Sequence, residues 1–365
     1  MEYLIYIIVS FITIRAIVAI LNLIWLRYIV EKDINQCVNN NIKYSLLIPA
    51  RDEQKNIGNI LNDISKLKYK PQEVIIFNDN STDKTKEIIE SYFNSVSNLK
   101  IIDNTYPSPP EGWLGKNWGC YNLAQNAKSE YLLFCDADVR LKSDFFKYIS
   151  YAKSNSAHLL SLFPYQITTN YGVKLVVPIM NWILITLLPL FLVKKCSWSS
   201  FSAANGQFML LSKDSYNEIE PHKKLKHSRA EDIDMCRLYK RKGKKCITLI
   251  SDKSVQCNMY SSYNVAINGF SKNIVHFFGG SFIAASLFIL LTSFSWIIII
   301  GYNQYLTIYY FSISLIILIV CSHITYSNYC KYLINTPLRH LSMIIIYIQS
   351  IINYITKKGE WKGRK

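Results

Sequence analysis

Asp136 and Asp138 stand one residue apart where an apolar run, Leu132-Leu133-Phe134-Cys135, stops. Side chains at i and i+2 of a strand point the same way, so both carboxylates would aim at one point beyond the strand's carboxyl end. Two such groups repel each other and are costly to desolvate. A hard divalent cation, which carboxylate oxygens bind well, relieves both penalties; a capped turn is the alternative reading of Asp-x-Asp taken alone. Other polar clusters accompany the pair. Arg51-Asp52-Glu53 follows the apolar run that ends in Pro49-Ala50, and Asp79 follows Val74-Ile75-Ile76-Phe77. Asp79 could accept hydrogen bonds from a base or sugar, as an acidic residue does in nucleotide-binding folds, or cap the helix that follows. Gly112-Trp113-Leu114-Gly115-Lys116-Asn117 is a glycine-flanked turn whose cation, Lys116, could lie over phosphates or merely lead into a helix. Glu231 and Asp232 open a further helix, where the helix dipole favours acids whether or not they are catalytic.

The elements between these clusters explain how they could meet. Tyr44 to Pro49, Glu73 to Phe77, Lys100 to Ile102 and Tyr131 to Cys135 read as strands, with helices over Lys55 to Leu67, Thr82 to Phe93 and Asn117 to Ala127. Strand-helix alternation with apolar strands predicts an α/β domain over residues 40–270 built on a doubly wound, mainly parallel sheet. Ligands of such sheets bind beyond the carboxyl ends of the strands, where Arg51, Glu53, Asp79, Asp136 and Asp138 all fall.

The chain has 365 residues, a formal net charge of +16 and half its residues hydrophobic, with the apolar content concentrated at the two ends. Tyr3 to Leu26 carries one charge, Arg15, and is long enough to cross a bilayer; residues 1–30 are read as an N-terminal transmembrane anchor in preference to a cleaved signal peptide. Ile274 to Ile300 and Leu306 to Ile324 are further spans within a C-terminal membrane region, residues 274–356. Leu341 to Ile355 reads as an amphipathic helix in the membrane surface. Residues 175–193, with Pro178 and Pro189, read as an interfacial segment, because a single crossing there would put the acidic motifs on opposite sides. The basic clusters, among them residues 222–227, 240–245 and the tail 357–365, would face anionic lipid. No nucleic-acid-binding motif accompanies the positive charge. Nine cysteines without a CxxC pair read as reduced thiols in a cytosolic domain.

Taken in order, Ile48-Pro49-Ala50-Arg51-Asp52-Glu53, Asn78-Asp79-Asn80-Ser81-Thr82-Asp83, Asp136-Ala137-Asp138 and Glu231-Asp232 resemble the motifs of family 2 glycosyltransferases with the GT-A fold. Gly115-Lys116-Asn117, the stretch Met259 to Phe270 and the terminal Glu360-Trp361-Lys362-Gly363-Arg364 resemble the branch that glycosylates carotenoid acids. That resemblance implies an inverting, metal-dependent hexosyltransferase in the plasma membrane, with UDP-glucose as donor, a lipid such as a carotenoid acid as acceptor, and its catalytic domain in the cytoplasm. Pro49, Ala50, Arg51, Glu53, Asp79, Lys116 and Asp136 would bind the nucleotide sugar, Asp138 would bind Mg²⁺ or Mn²⁺, and Asp232, beside Glu231, would be the catalytic base. The sequence departs from the family pattern at Asn80, where glycine is usual, and at Asp52 and Gln54. A polyprenyl-phosphate or polysaccharide glycosyltransferase is the alternative. The Gln-x-x-Arg-Trp motif of processive synthases is absent, since no tryptophan follows an arginine.

Overall fold

Apolar runs bounded by turn residues become strands β1 (Tyr44–Ala50), β2 (Glu73–Asn78), β3 (Leu99–Asp103), β4 (Tyr131–Cys135), β5 (Val139–Leu141), β6 (Leu159–Phe163), β7 (Tyr165–Gln166), β8 (Phe208–Ser212), β9 (Cys246–Ile250) and β10 (Val255–Cys257). This computed structural model describes residues 1–36, 41–168 and 170–356. The basic tail and the Glu360 to Arg364 motif lie outside the described residues. The chain divides into two compact units, one of residues 26–167 and 190–259, the other of residues 1–25, 168–189 and 260–365.

The first unit is a sheet domain. Its seven-stranded sheet has the order β3-β2-β1-β4-β8-β6-β9, and a small second sheet joins β5, β10 and β7. All pairs of the main sheet are parallel except those of β8, which runs antiparallel to both β4 and β6. Helices cover both faces of such a sheet, so its strands are buried throughout and read as continuous apolar runs; every residue of β2, β4 and β6 is buried. Pairing of Ala50 with Asn78 and of Leu47 with Phe134 brings the carboxyl ends of β1, β2 and β4 side by side.

Two loops at those ends adopt left-handed backbone. Asp52 and Asn80 both have φ of 51°, a conformation that asparagine and aspartate tolerate better than other side-chain-bearing residues. Asparagine at position 80 suits this left-handed backbone. The Asn78 Oδ1 accepts from the Ser81 N–H at 3.2 Å, and Asp83 Oδ1 accepts from the Thr85 N–H at 3.0 Å. The local capping work in this loop therefore falls to Asn78 and Asp83, which leaves the Asp79 carboxylate for other partners.

The second unit is helical. Among the described residues, three of its helical stretches are long and apolar enough to cross a membrane: Glu2–Gln36 (whose last residues pass into the sheet domain), Gln304–Ile324 and Thr336–Ile355. The third begins five residues before the expected amphipathic stretch, with proline at its start, so its length now reaches a span. The run from Ile274 to Ile300 is interrupted. Gly279 and Gly280 take φ of 68° and 84°, Ser281 caps a new helix, Phe282–Ser293, and a second break at Phe294 precedes Ser295–Ile300. Residues 175–193 are likewise broken. Tyr171–Val176 and Pro178–Leu187 belong to the helical unit, whereas Leu190–Lys195 belongs to the sheet domain.

The helix Gly115–Asn126 carries Lys116, and two contacts locate it. Asn117 donates through Nδ2 to the carbonyls of Leu225, Lys226 and Ser228 at 2.9, 3.3 and 3.1 Å. Gly119 sits so close to Phe77 of β2 that an added Cβ would meet its ring at 2.9 Å. Gly119→Ala should therefore destabilise the chain by about 1–3 kcal/mol, the usual cost of overpacking, despite alanine's better helix propensity. Thermal unfolding in detergent reads this directly, and an unchanged or raised midpoint would refute the close-packing argument.

Candidate active site

Lys116 reaches across the carboxyl end of the main sheet to two acids. Its Nζ lies 3.1 Å from Asp136 Oδ1 and 3.2 Å from Glu231 Oε1. Burial would lower the lysine's pKa, but Asp136 and Glu231 outweigh it and hold the ammonium charged, well above its ordinary value. Lys116, Asp136 and Glu231 line one recess together with Pro49, Phe134, Gly206 and His222, about 300 Å³ including its open mouth. Asp232 stands beside it at the start of the helix Glu231–Arg241. Its Oδ1 accepts from the Ile233 N–H at 2.8 Å and its Oδ2 from the Gly206 N–H at 3.0 Å.

Three of these contacts were not legible beforehand. Gly206 approaches so closely that an added Cβ would lie 3.2 Å from Lys116 Nζ and 3.5 Å from Glu231 Oε1. Its loop is tied down by Ser161, whose Oγ donates to the Asn205 carbonyl at 3.1 Å and accepts from the Asn205 N–H at 2.7 Å. His222, expected in a lipid-facing basic cluster, is instead buried. Burial and the charge of Lys116 push its pKa down to about 3, its Nδ1 pairs with the Tyr216 hydroxyl at 2.8 Å, and its ring meets Phe134 edge-on. Lys240 is also turned inward, donating to the carbonyls of Leu192 and Cys196 at 3.3 and 2.7 Å.

The paired aspartates differ in their surroundings. Asp136 has a cation; Asp138 has none. The Asp138 pKa is raised to about 7 by burial first, then by the charges of Asp136 and Glu53. Its Oδ1 is sealed from solvent with no hydrogen-bond partner. The Cys257 thiol bonds to its carboxylate, and Gln207 Nε2 in turn donates to Cys257 Sγ at 2.8 Å. An orphaned, buried carboxylate oxygen in a like-charged neighbourhood fits a divalent cation. Among the described residues no group of three or more His, Cys, Asp or Glu converges on a metal position. Such a site would thus rest on Asp138, with Asp136 nearby, and on oxygens of the ligand and water, as Mg²⁺ commonly does.

The remaining predicted residues sit at the ends of β1 and β2. Arg51 Nη1 lies 3.4 Å from Asp79 Oδ2, and both side chains are nearly buried. Asp79 Oδ1 accepts from Asn104 Nδ2 at 2.7 Å, and the Asp79 N–H donates to the Ala50 carbonyl at 2.9 Å. Asp79 is therefore a structural hub at the end of β2. Glu53 Oε2 accepts from Asn56 Nδ2 at 2.8 Å, and its N–H donates to Thr85 Oγ1 at 2.7 Å.

Residues 45–184, which contain most of this site, match the model of "Glycosyl transferase family 2". This segment belongs to family 2 of the glycosyl transferases. Over 135 residues the chain is 34% identical to the 4,4'-diaponeurosporenoate glycosyltransferase of Staphylococcus aureus (strain USA300), covering 36% of this chain and 34% of that one. The enzyme of the same name from Staphylococcus haemolyticus (strain JCSC1435) is 31% identical over 144 residues, 39% of this chain and 37% of its own. The chain thus spans about a third of the length of the curated relatives it matches. Among solved structures, the mannosyltransferase PcManGT from Pyrobaculum calidifontis, in complex with GDP-Man and Mn²⁺, aligns over 95% of this chain and 99% of its own with a TM-score of 0.54 at 11% identity. At that identity the likeness concerns the fold, and the sheet domain has a GT-A-like α/β architecture.

Beyond the matched segment, the pKa of Asp232 is also raised to about 7, by burial and then by Glu231. Between about pH 4 and pH 7 the folded domain holds protons on Asp138 and Asp232 that an unfolded chain has released. Their contribution to stability therefore falls as pH rises through that window and levels off above it. Asp138→Asn removes one of the two. With divalent cations chelated, that variant should be more stable than the parent by roughly 2 kcal/mol at pH 7.5, the gap narrowing as pH falls and closing at about pH 4. A gap independent of pH would remove the electrostatic account of Asp138.

Proposed function

We propose that this chain is a membrane-bound inverting glycosyltransferase that moves one sugar, glucose from UDP-glucose, to a membrane lipid. The observation that carries this reading is the placement of two buried acids, Asp138 within the segment that matches family 2 and Asp232 beyond it at the start of the helix Glu231–Arg241, with only Asp138 lacking a full set of hydrogen-bond donors. The pair then divides into a cation ligand and a proton acceptor. A Mg²⁺ or Mn²⁺ ion held by Asp138, with Asp136 beside it, supplies neutralisation of the charge that builds on a departing diphosphate.

The chain's own residues supply the rest. Pro49 lines the recess, and Arg51, locked to Asp79, forms with Ala50 and Glu53 the wall for the nucleoside. Lys116 presents a fixed positive charge between Asp136 and Glu231, at the edge where donor phosphates would enter. Asp232, held by the Gly206 and Ile233 N–H groups, accepts the proton of an acceptor hydroxyl as it attacks the anomeric carbon. General-base assistance of this kind contributes about a hundred- to ten-thousand-fold. Where the acceptor is a carboxylic acid it is already ionised at neutral pH, and Asp232 orients it instead. The relatives' name specifies a carotenoid acid, which supports a lipid acid as acceptor here. The apolar helices anchor the domain to the bilayer in which such an acceptor resides, with the domain on the cytoplasmic side.

Two variants of the full-length protein separate the roles. Asp138→Ala should abolish the increase in UDP affinity that Mn²⁺ brings in calorimetry, whereas Asp232→Asn should bind UDP within about threefold of the parent yet transfer at least about a hundredfold more slowly. Mn²⁺-dependent UDP binding that survives in Asp138→Ala would sink the cation assignment. Undiminished transfer by Asp232→Asn would sink the base.

A further inference from the structure

The helical unit buries two arginines in a setting with almost no carboxylate. Arg15 is 4% exposed and Arg339 is 9% exposed. Across residues 1–25, 168–189 and 260–356 the sequence contains a single acid, Glu2, which is exposed at the chain's start. Removing a guanidinium from water costs several kcal/mol after relaxation, and ionisable groups within membrane helices are rare unless partnered or functional.

Arg15 has found neutral partners. Its Nε and Nη2 donate to Thr186 Oγ1 at 3.3 and 3.1 Å, and Nη1 donates to Thr292 Oγ1 at 3.2 Å. Its guanidinium carbon lies 4.2 Å from the centroid of the Trp182 ring. Cation–π attraction strengthens when desolvated, so hydroxyls and rings offset part of the burial cost. Arg339 is less well served. Its Nη1 donates to the Tyr332 carbonyl at 2.9 Å and its guanidinium lies 3.8 Å from the Tyr332 ring centroid, but its Nε has no hydrogen-bond partner.

A narrow cleft opens beside Arg339. It encloses about 270 Å³ including its open mouth, and Trp182, Tyr332, Thr336, Arg339 and His340 line it with apolar neighbours. Three buried donors belong to this lining and lack partners: Trp182 Nε1, the Tyr332 hydroxyl and Arg339 Nε. Indole and guanidinium nitrogens donate only, and a carboxylate or phosphate oxygen accepts only. Three orphaned donors beside an uncompensated cation therefore call for an acceptor-only, negatively charged ligand. Apolar walls on the same cleft call for a ligand with a hydrocarbon body.

We propose that this cleft binds the anionic headgroup of a membrane amphiphile, a carboxylate or phosphate held by Arg339, Tyr332 and Trp182. The site is independent of sugar transfer and stands whether or not the proposed reaction does. The charged headgroup would complete the hydrogen bonding of Arg339 and compensate its charge, while the chain lies along the apolar lining.

Native mass spectrometry of the full-length protein in a neutral maltoside detergent tests this with three probes: oleate, oleyl alcohol and inorganic phosphate. One equivalent of oleate should be retained at least tenfold more tightly than oleyl alcohol, and free phosphate should not bind in the same range. Arg339→Gln should weaken oleate about tenfold, and Tyr332→Phe, which keeps the ring under the guanidinium, about threefold with unchanged circular dichroism. Should Arg339→Gln fail to fold, the Tyr332→Phe result decides. Equal retention of oleate and oleyl alcohol, phosphate binding as tightly as oleate, or parental oleate affinity in Tyr332→Phe would each overturn the proposal.

Discussion

One ammonium group holds the candidate site together. Lys116 Nζ contacts Asp136 at the end of β4 and Glu231 at the start of the helix that also carries Asp232. These acids come from segments almost a hundred residues apart, and neither cluster alone could tolerate the other's charge at this distance without the cation between them. The helix bearing Lys116 is held in turn by Asn117, anchored to the loop before Glu231, and by the close seat of Gly119 on β2. Sheet, helix and loop thus converge on a charge pair, and the recess exists where they meet. Asp138 receives little of this compensation: burial and the charges of Asp136 and Glu53 raise its pKa more than Lys116 lowers it, and its Oδ1 is left without a hydrogen-bond partner.

Charge is distributed in opposite senses in the two units. The sheet domain concentrates carboxylates where an α/β sheet binds ligands, and their surplus calls for a cation and the phosphates it would accompany. The helical unit concentrates buried arginine with no carboxylate in reach, and its surplus calls for an anion. In both, burial is what turns an ordinary ion into a requirement for a ligand. The same side chains on a solvated surface would need none.

The elements that carry the site were largely readable from the sequence. Tyr131–Cys135 forms as expected, two other predicted strands are one residue longer at their carboxyl ends and Lys100–Ile102 is one residue longer at each end, because strands buried on both faces announce themselves as uninterrupted apolar runs. Asp136 stands just past the end of β4 as its position in the sequence implied, whereas Pro49 lies within β1 and Lys116 and Glu231 stand at helix starts, so their meeting in one recess needed the folded chain. What stayed hidden acts through the backbone or through distant partners. Gly206 contributes an N–H and an absence of side chain, and Asn104 and Cys257 matter only because the chain folds back onto Asp79 and Asp138. Composition misled at His222, whose lysine-rich neighbours suggested a surface while Tyr216 and Phe134 enclose it. Apolarity alone also missed the break at Gly279-Gly280, where two left-handed residues divide what reads as one span.

The central claim is that these acids serve transfer of a sugar to a lipid. Comparative lipid mass spectrometry of cells expressing the full chain, or its Asp232→Asn variant, tests that claim most directly. The account predicts a lipid carrying one added hexose in cells with the parent chain and its loss with the variant. Identical lipid profiles in expressing and non-expressing cells, with the protein present in the membrane, would contradict it.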